Sequence, residues 1–332
     1  MRKELNMRLI INKNESPYFN LALEEHFLTG TEIEAVILWR NSASVIIGRN
    51  QNTIEEINLD YVRERNIPVV RRLSGGGAVF HDPGNINYTI IRNIREGDFN
   101  NYKHFTKPII EYLQTLGVRA ELEGRNDLTI NGAKFCGNAQ AARGNRILHH
   151  GCILYSADFT NLAGALAPRD IKFTSHGVKS VRKRVTNIAD HMSVPMTAQN
   201  FLEGLSQYFA GHIEGIEPYS LSPDDISEAT RLGAEKYSSW EWNFGASPAY
   251  NMKRSRRYDF GLIDVLMSVE RGEIREIHIF GDFFGVRDKE ELEKFLVGAR
   301  HDRESITSAL RAVDIAEYIR GMDTDKFVDL IF

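Results

Sequence analysis

The stretch Arg71-Arg72-Leu73-Ser74-Gly75-Gly76-Gly77-Ala78-Val79-Phe80-His81-Asp82 lies between two runs of strand-forming residues. Glycine has no Cβ, so three glycines in a row let the backbone turn tightly and pass close to a ligand. The N–H groups of such a turn can face an anion, and neighbouring guanidinium groups can bind phosphate or carboxylate. The stretch predicts a site for a nucleotide or another acid. The alternative is a tight turn with solvated arginines.

Two familiar phosphate-binding loops are excluded by the sequence. A P-loop requires Gly, four residues and then Gly-Lys-Ser/Thr, and this string does not occur. The dinucleotide-binding fingerprint requires a third glycine at the position of Phe80 and a helix directly after it. Residues 78–80 and 87–91 instead have the composition of strands. We therefore expect the glycines in a turn within a sheet.

Composition indicates an ordinary globular protein. The chain has 332 residues, of which 42% are hydrophobic and 26% charged, enough for one large and one small domain. A net charge of -4 does not indicate nucleic-acid binding. The two cysteines, Cys136 and Cys152, do not suggest a disulfide framework. With no signal-peptide pattern and no long apolar run, we expect a cytoplasmic protein with no nucleic-acid or membrane partner.

The pattern of apolar residues predicts helices and mostly antiparallel strands in one block, which is an α+β fold. The dipeptide Asn131-Gly132 is the strongest short signal for a β-hairpin. Strands are predicted at 9–11, 35–39, 44–47, 69–70, 128–130, 133–136 and 151–155, and helices at 17–28, 58–65, 105–116, 161–166 and 198–209.

A domain boundary is predicted near Ser247-Pro248-Ala249, which gives a large domain at 1–247 and a small α+β domain at 248–332. In the small domain, residues 261–268 and 273–280 alternate like paired strands. Asp288 followed by Glu291 resembles a capping box for a helix that runs to about residue 297. Further helices are predicted at 303–312 and 316–320.

Several polar residues near the hairpin are candidates for chemistry. Lys134 follows the Asn-Gly turn between apolar neighbours, where an ammonium group must face an anion or water. Its alternative role is that of a solvated lysine on an edge strand. Asn126-Asp127 fit ribose, an adenine edge or magnesium, or simply cap a turn. The adjacent His149 and His150 should point to opposite faces of a strand, which argues against a shared metal site.

Many short motifs occur in the order found in lipoate–protein ligases, and the chain resembles that family over nearly its whole length. The tail resembles the bacterial ligases that carry an accessory C-terminal domain. The motifs are the glycine stretch, Phe19–Glu25 (Phe-Asn-Leu-Ala-Leu-Glu-Glu), Leu38-Trp39-Arg40-Asn41, residues 47–52, Arg125-Asn126-Asp127-Leu128, residues 132–139, His149-His150-Gly151, residues 177–187 and residues 239–245.

The resemblance implies two half-reactions on the mixed-sheet catalytic fold that this family shares with biotin ligases. Lipoate, or the related octanoate, reacts with ATP to give an acyl-AMP and pyrophosphate, with Mg2+ expected. A lysine of an acceptor lipoyl domain then takes the acyl group and AMP leaves. The implied acceptors are lipoyl domains of 2-oxoacid dehydrogenase E2 subunits and the glycine cleavage H protein. No tightly bound prosthetic group is expected.

The resemblance also assigns roles to residues of this sequence. Lys134 is implied as the catalytic residue and as a contact to both ATP and lipoate, and Asp127 as a magnesium ligand. A second phosphate contact that some family members take from an arginine would fall to Arg143 or Arg146. The implied ATP-binding residues are Arg71, Gly76, Gly77, Ala78, Val79, Asn126, Asp127 and Lys134, and the implied lipoate-binding residues are Glu24, Arg49, Gly75, His81, Lys134 and His150.

Two other functions remain as alternatives. One is an octanoyl- or lipoyl-transferase that works through a cysteine thioester without ATP, although no cysteine precedes Cys136. Cys136 shares a strand with Lys134 and is expected near the site, whereas Cys152 is expected in the core. The other is a non-catalytic protein that binds lipoyl domains. The sequence argues against this function, because it contains Lys134, Arg71 and the glycine turn.

Overall fold

The computed structural model describes residues 7–166, 184–194, 196–245 and 250–332. The predicted boundary at 247–248 and most of the motif at 177–187 lie outside these residues. The chain forms two compact units, and each is described by itself. The first comprises Met1–Ile46, Ile57–Val70 and Val79–Ser239, and the second comprises Ile47–Glu56, Arg71–Ala78 and Trp240–Phe332.

A mixed β-sheet is the centre of the first unit. The strands up to residue 218 are β1 (Met7–Ile11), β2 (Glu34–Trp39), β3 (Ser44–Ile47), β4 (Val69–Arg71), β5 (Val79–His81), β6 (Asn85–Asn93), β7 (Glu121–Glu123), β8 (Asp127–Ile130), β9 (Ala133–Arg143), β10 (Arg146–Leu154) and β11 (Ile216–Pro218). The large sheet has the order β11-β1-β2-β6-β10-β9-β8-β7, and a small sheet has the order β4-β3-β5. Strand β1 is parallel to β2 and β11, whereas β2, β6, β10, β9, β8 and β7 pair antiparallel in turn.

Most of the helices up to residue 243 belong to the first unit. They are α1 (Pro17–Glu25), α3 (Leu59–Glu64), α4 (Tyr102–Thr115), α5 (Phe159–Ala165), α6 (Ala198–His212) and α7 (Pro223–Leu232), with short turns of other helix types at His26–Gly30, Ile188–His191 and Gly233–Tyr237, whereas α2 (Thr53–Glu56) and α8 (Trp240–Asn243) belong to the second unit. Ile109 and Leu113 of α4 and Phe201 and Leu205 of α6 are fully buried in one core with the large sheet. Helix α1 begins after Ser16, whose side chain accepts the N–H of its third residue.

The C-terminal part of the second unit is a small α+β structure. It contains β12 (Met252–Tyr258), β13 (Gly261–Glu270), β14 (Glu273–Gly281), α9 (Lys289–Leu296), α10 (Arg303–Ala309), α11 (Ile315–Tyr318) and α12 (Thr324–Ile331). Its strands form an antiparallel meander, and Val265, Ile277 and Phe327 are buried in its core. The predicted pairing of 261–268 with 273–280 is confirmed. The predicted capping box is wrong, because Asp288 precedes α9 but its side chain makes no capping hydrogen bond.

Candidate active site

A β-bulge decides which side chains share a face at Lys134. Leu128 pairs with Cys136 and Thr129 pairs with Lys134, so Phe135 between them has no partner on β8. Side chains alternate along a strand, and an extra residue shifts that alternation by one. Lys134 and Gly137 therefore lie on the same face although they are three residues apart. Strand β9 lies between β10 and β8, so Lys134 is not on an edge strand. Its alternative role, that of a solvated lysine on an edge strand, does not agree with this position.

The ammonium group of Lys134 is held over this face by a carboxylate. Its Nζ lies 2.8 Å from Asp127 Oδ1, and the two side chains are 36% and 38% exposed. Gly137 makes room for it, because a Cβ at that residue would lie 2.8 Å from Nζ. Lys134 and Asp127 line a cavity of about 560 Å³ together with Thr129, Glu123, Arg184 and Val185. A half-buried cation beside an open cavity suits the binding of an anionic group.

Asn126 is fixed beside this pair by its neighbour on β9. Its side-chain amide donates to the Asn138 carbonyl at 2.7 Å, and Asn138 donates from its backbone and side chain to the Asn126 carbonyl. These bonds set the course of the chain immediately before Asp127. The structure thus brings three of the predicted nucleotide-site residues, Asn126, Asp127 and Lys134, into one corner of the first unit.

A buried polar network lies on the same face of the sheet. The Trp39 indole N–H donates to Thr89 Oγ1 at 2.9 Å, and the Thr89 hydroxyl donates to Glu24 Oε1 at 2.6 Å. Glu24 also contacts His150 Nδ1 at 2.9 Å. The ring of His81 packs edge-on against Trp39, with centroids 5.9 Å apart. Three predicted lipoate-site residues, Glu24, His81 and His150, are thereby connected through Thr89 and Trp39, for which no site role was predicted.

The two adjacent histidines point to opposite faces, as predicted. His150 pairs with Thr89 and faces the polar network, whereas His149 stacks on Phe105 at 4.7 Å in the core. Burial lowers the pKa of His149 well below its usual value, so this ring is neutral. Within the described residues, no group of three or more His, Cys, Asp or Glu side chains could hold a metal ion.

The bulge also decides on which face of the sheet each of the two cysteines lies. Cys136 is fully buried in the core, where burial raises the pKa of its thiol well above the ordinary value. Cys152 is half-buried and pairs with Gly137, on the face that carries Lys134. The expectation of Cys152 in the core was wrong, whereas Cys136 is in the core but close enough to Lys134 and Asp127 for their charges to act on its pKa. The reason is the alternation of side chains, which the unpaired Phe135 shifts by one residue.

In the second unit, Arg71 is buried and its guanidinium group is bound entirely by protein atoms in the hydrogen bonds described. Burial, reinforced by the nearby charge of Arg49, lowers the pKa of Arg71 to about 10. The Trp242 indole N–H donates to the Arg71 carbonyl at 2.8 Å. Each guanidinium nitrogen donates to an oxygen at 2.6–3.2 Å, and the acceptors are the carbonyls of Gly48, Arg49, Gln51, Trp242 and Asn243 and the hydroxyl of Thr53.

The three consecutive glycines differ in what surrounds them. A Cβ at Gly75 would lie 2.4 Å from the Phe283 carbonyl oxygen, and Gly76 has a φ of +92°, which side chains rarely adopt. Gly77 has no other atom of the described residues within 4 Å of where its Cβ would stand. Contacts and backbone conformation within the protein therefore require glycine at residues 75 and 76. At Gly77 they do not, and the space beside its backbone is open. Arg49, also in this unit, lies 3.6 Å from Glu290 and over the ring of Trp242.

Comparison with known proteins assigns the chain to a family. A family model described as the lipoyl protein ligase A/B catalytic domain matches residues 16–210. The chain belongs to the lipoate–protein ligase family. A second model, the bacterial lipoate protein ligase C-terminus, matches residues 247–331. Lipoate-protein ligase LplJ of Bacillus subtilis is 41% identical over 98% of this chain and 100% of its own length, and lipoate–protein ligase 1 of Staphylococcus aureus is 40% identical over the same shares.

Solved structures agree with this assignment. A structure of P. falciparum LipL1 in complex with lipoate has the same fold, with a TM-score of 0.78, 24% identity and 97% coverage of both chains. A lipoate-protein ligase A bound with ATP is 28% identical, with a TM-score of 0.61 over 72% of this chain and 99% of its own. The predicted family, α+β fold and ligase class are therefore confirmed. The roles of individual site residues stay predictions.

The remaining predicted features are an arginine for a second phosphate contact and the absence of a membrane-spanning segment. Of the two arginines considered for a second phosphate contact, Arg146 is buried and donates to the carbonyls of Phe27 and Ile33. Arg143 is half-buried at the end of β9. Within the described residues, no helix is both long and apolar enough to span a membrane.

Proposed function

We propose that this ligase activates lipoate with ATP to form lipoyl-AMP and then transfers the lipoyl group to a lysine of an acceptor lipoyl domain. The observation that carries the proposal is the corner at the β-bulge, where Lys134, Asp127 and the bare backbone of Gly137 share one face beside a cavity. The relatives named lipoate-protein ligases and the ATP-bound ligase at 28% identity support the same reaction.

Lys134 stabilises charge in the first half-reaction. A carboxylate oxygen of lipoate attacks the α-phosphorus of ATP, a phosphorus–oxygen bond forms, and the bond to pyrophosphate breaks. Negative charge grows on the α-phosphate oxygens as this happens. An ammonium held at that position contributes about 3–4 kcal/mol on the scale measured for single oxyanion donors. Asp127, at 2.8 Å from Nζ, keeps the lysine head in place before substrates arrive.

The same corner fits a magnesium ion carried by the nucleotide. Mg2+ usually takes one or two carboxylates and completes its shell with phosphate oxygens and water. Asp127 offers such a carboxylate at the cavity, and a bound ion would neutralise phosphate charge. Asp127 would then both bind the ion and orient Lys134.

The second half-reaction requires an acceptor amine. The nitrogen of an acceptor lysine attacks the carbonyl carbon of the mixed anhydride, an amide bond forms, and AMP and a proton leave. A bipartite lipoate protein ligase of Thermoplasma acidophilum, 28% identical with a TM-score of 0.66 over 75% of this chain and 100% of its own, comes from a structural analysis of a lipoylation system that names the ligase and its E2 lipoyl domain. We propose lipoyl domains of E2 subunits and the glycine cleavage H protein as acceptors, and a cytoplasmic location remains a prediction.

We also propose that the glycine turn of the second unit, taken by itself, is a nucleotide-binding segment. The open backbone at Gly77, followed by Ala78, suits close approach of a nucleotide. Since every guanidinium nitrogen of Arg71 already donates to protein oxygens, we propose that Arg71 chiefly holds the chain that leads into the turn. A phosphate contact by Arg71 would require the exchange of at least one of these bonds.

The test is lipoate-dependent exchange of labelled pyrophosphate into ATP, followed by transfer to a purified lipoyl domain. The wild-type protein should catalyse both reactions, and Lys134→Ala should lose the exchange by at least a hundredfold while it keeps its melting temperature. Lys103→Ala, on the exposed face of α4, is the matched control and should be unchanged. Near-normal exchange by folded Lys134→Ala would contradict the role of Lys134, and no exchange by the wild-type protein would contradict the proposed function.

A further inference from the structure

The main chain of Lys134 is held by a segment from a distant part of the sequence. The pairing of β9 with β10 ends at Cys136, two residues after Lys134. Beyond that point the Lys134 N–H donates to the Arg184 carbonyl at 2.9 Å, and the Thr186 N–H donates to the Lys134 carbonyl at 2.9 Å. The two bonds form a parallel β-bridge. Residues 184–187, which we call the clamp segment, therefore fix both main-chain groups of Lys134.

The side chain of Asn187 anchors the clamp segment to the chain that leaves β10. Its Oδ1 atom accepts the N–H of Ala157 at 2.8 Å, and its Nδ2 atom donates to the Ala157 carbonyl at 3.2 Å. Ala157 lies three residues after Leu154, the last residue of β10. A carboxamide has both a donor and an acceptor, so it can pair with both backbone groups of one residue. One side chain thus joins the clamp segment to the strand beside β9.

The middle of the clamp segment connects this anchor with the cavity. Val185 packs against a buried cluster of Leu154, Ala157 and Phe159, and it also lines the cavity beside Lys134. A movement of the clamp segment would therefore shift the main chain of Lys134 and one wall of the cavity together. Such a movement matters for catalysis, because a shift of about 1 Å in a catalytic group can cost on the order of a hundredfold in rate.

We infer that Asn187 is a positioning residue, whose side-chain amide fixes the clamp segment and thereby the main chain of Lys134. The Asp127 carboxylate holds the ammonium group of the same lysine, so the two ends of Lys134 are fixed by separate contacts. The alternative is a direct contact between Asn187 and a substrate, because Asn187 also lines a cavity of about 390 Å³. The pairing with Ala157 favours the positioning role, since it already uses a donor and an acceptor of the amide. The inference rests on the proposed function and adds the residue that holds its catalytic lysine.

The first test measures hydrogen exchange at the Lys134 amide in the wild-type protein and in Asn187→Ala. Loss of the anchor should free the clamp segment and speed exchange of the Lys134 N–H about tenfold or more. Asn251→Ala is the matched control, because the Asn251 side chain pairs in the same way with the N–H and the carbonyl of Val269, at 3.0 and 2.9 Å, in the small α+β structure. It should leave exchange at Lys134 unchanged. An unchanged rate in folded Asn187→Ala would overturn the inference.

The second test measures adenylate formation by the same proteins. Asn187→Ala should lower kcat about ten- to a hundredfold, the loss expected when a catalytic group moves by about 1 Å, and should leave KM for ATP and for lipoate within about threefold of wild type. Asn251→Ala should match the wild-type protein in both constants. A kcat within about threefold of wild type in Asn187→Ala, or a loss confined to KM, would overturn the inference.

A double variant separates positioning from direct contact with a substrate. In a single-turnover assay, Asn187→Ala should cause no further loss when it is added to Lys134→Ala, because its effect passes through that lysine. A further loss as large as that in the wild-type background would refute the positioning role. If Asn187→Ala does not fold, Asn187→Ser, whose side chain is too short to pair with both groups of Ala157, should change amide exchange and kcat in the same direction. A wild-type protein that forms no adenylate would contradict the proposed function, whereas amide exchange tests the clamp segment without any activity.

Discussion

Gly137→Ala tests the Lys134 corner with the smallest change that the chain allows. A Cβ at Gly137 would lie 2.8 Å from Nζ and 2.9 Å from Cε of Lys134. The backbone of Gly137 is not among those with positive φ, so alanine fits it without strain. Only the flexible end of Lys134 must move, by roughly 0.6 Å or more to reach an ordinary contact. The fold should therefore remain intact.

The magnitude follows from these distances. Alanine in place of glycine lowers the conformational entropy of the unfolded chain, which stabilises the folded protein by about 0.4–1 kcal/mol. This gain offsets the cost of displacing the Lys134 ammonium group. We expect the free energy of unfolding to change by less than about 1 kcal/mol. Catalysis is more sensitive, since a shift of about 1 Å in a catalytic group can cost on the order of a hundredfold. Adenylate formation should fall about ten- to a hundredfold, mainly in kcat.

Pyrophosphate exchange measures the rate, and urea denaturation measures the stability of the same preparation. Gly211→Ala is the matched control, because its Cβ meets no described atom within 4 Å and the residue lies on the exposed face of α6. It should leave exchange unchanged. A folded Gly137→Ala protein with exchange within about threefold of wild type would refute the argument that the position of the Lys134 head limits the reaction.

Three other predictions use different parts of the molecule. The double variant Cys136→Ser, Cys152→Ala should keep ATP-dependent ligation and lose stability mainly through the buried Cys136, whereas a hydroxylamine-sensitive acyl-enzyme on the parent protein would favour the thioester transferase. Truncation before Arg254 removes the Phe283 carbonyl, to which the Gly76 N–H donates at 3.4 Å. Adenylate formation should therefore fall more than transfer from pre-made lipoyl-AMP. Equal losses of the two activities in a folded truncated protein would count against this. The pKa of buried His149 is well below its ordinary value, so as the pH falls the histidine binds a proton in the unfolded chain before it does so in the folded protein. The free energy of unfolding should therefore decrease as the pH drops below about 6.5, by up to about 1.4 kcal/mol per pH unit. His149→Gln should therefore lose less stability than wild type between pH 7 and pH 5 in urea denaturation, and parallel losses would show that another group titrates.

Local sequence signals predicted the elements of the fold well. Asn131 and Gly132 have φ values of +52° and +75°, the conformation that the Asn-Gly dipeptide favours in a two-residue hairpin. Strand β9 extends to Arg143, beyond the predicted residue 136, because β10 pairs with it along its length. Such an extension depends on a partner strand and cannot be read from one segment.

The candidate site was harder to predict because it depends on register. The residues around Lys134 were predicted as one motif, and the face on which each of their side chains lies is decided by the unpaired Phe135. Simple alternation places Cys136 beside Lys134, and the bulge places Gly137 and Cys152 there instead. Thr89 was not selected, and Trp39 was named within a family motif without a site role, because a threonine or a tryptophan in an apolar strand has the pattern of a core residue.

The fixed position of Arg71 has a consequence for the newly synthesised chain. Its acceptors include the carbonyls of Gly48, Trp242 and Asn243, and the Gly76 N–H meets the carbonyl of Phe283. Translation proceeds at about 5–20 residues per second, so the segment Val79–Ser239 takes on the order of ten to thirty seconds to emerge. During that time the Arg71 guanidinium group and Gly76 lack their contacts with Trp242, Asn243 and Phe283, because these residues have not yet been synthesised. The glycine turn therefore gains its contact with Phe283 only near the end of synthesis, and a chain that ends before residue 283 lacks that contact.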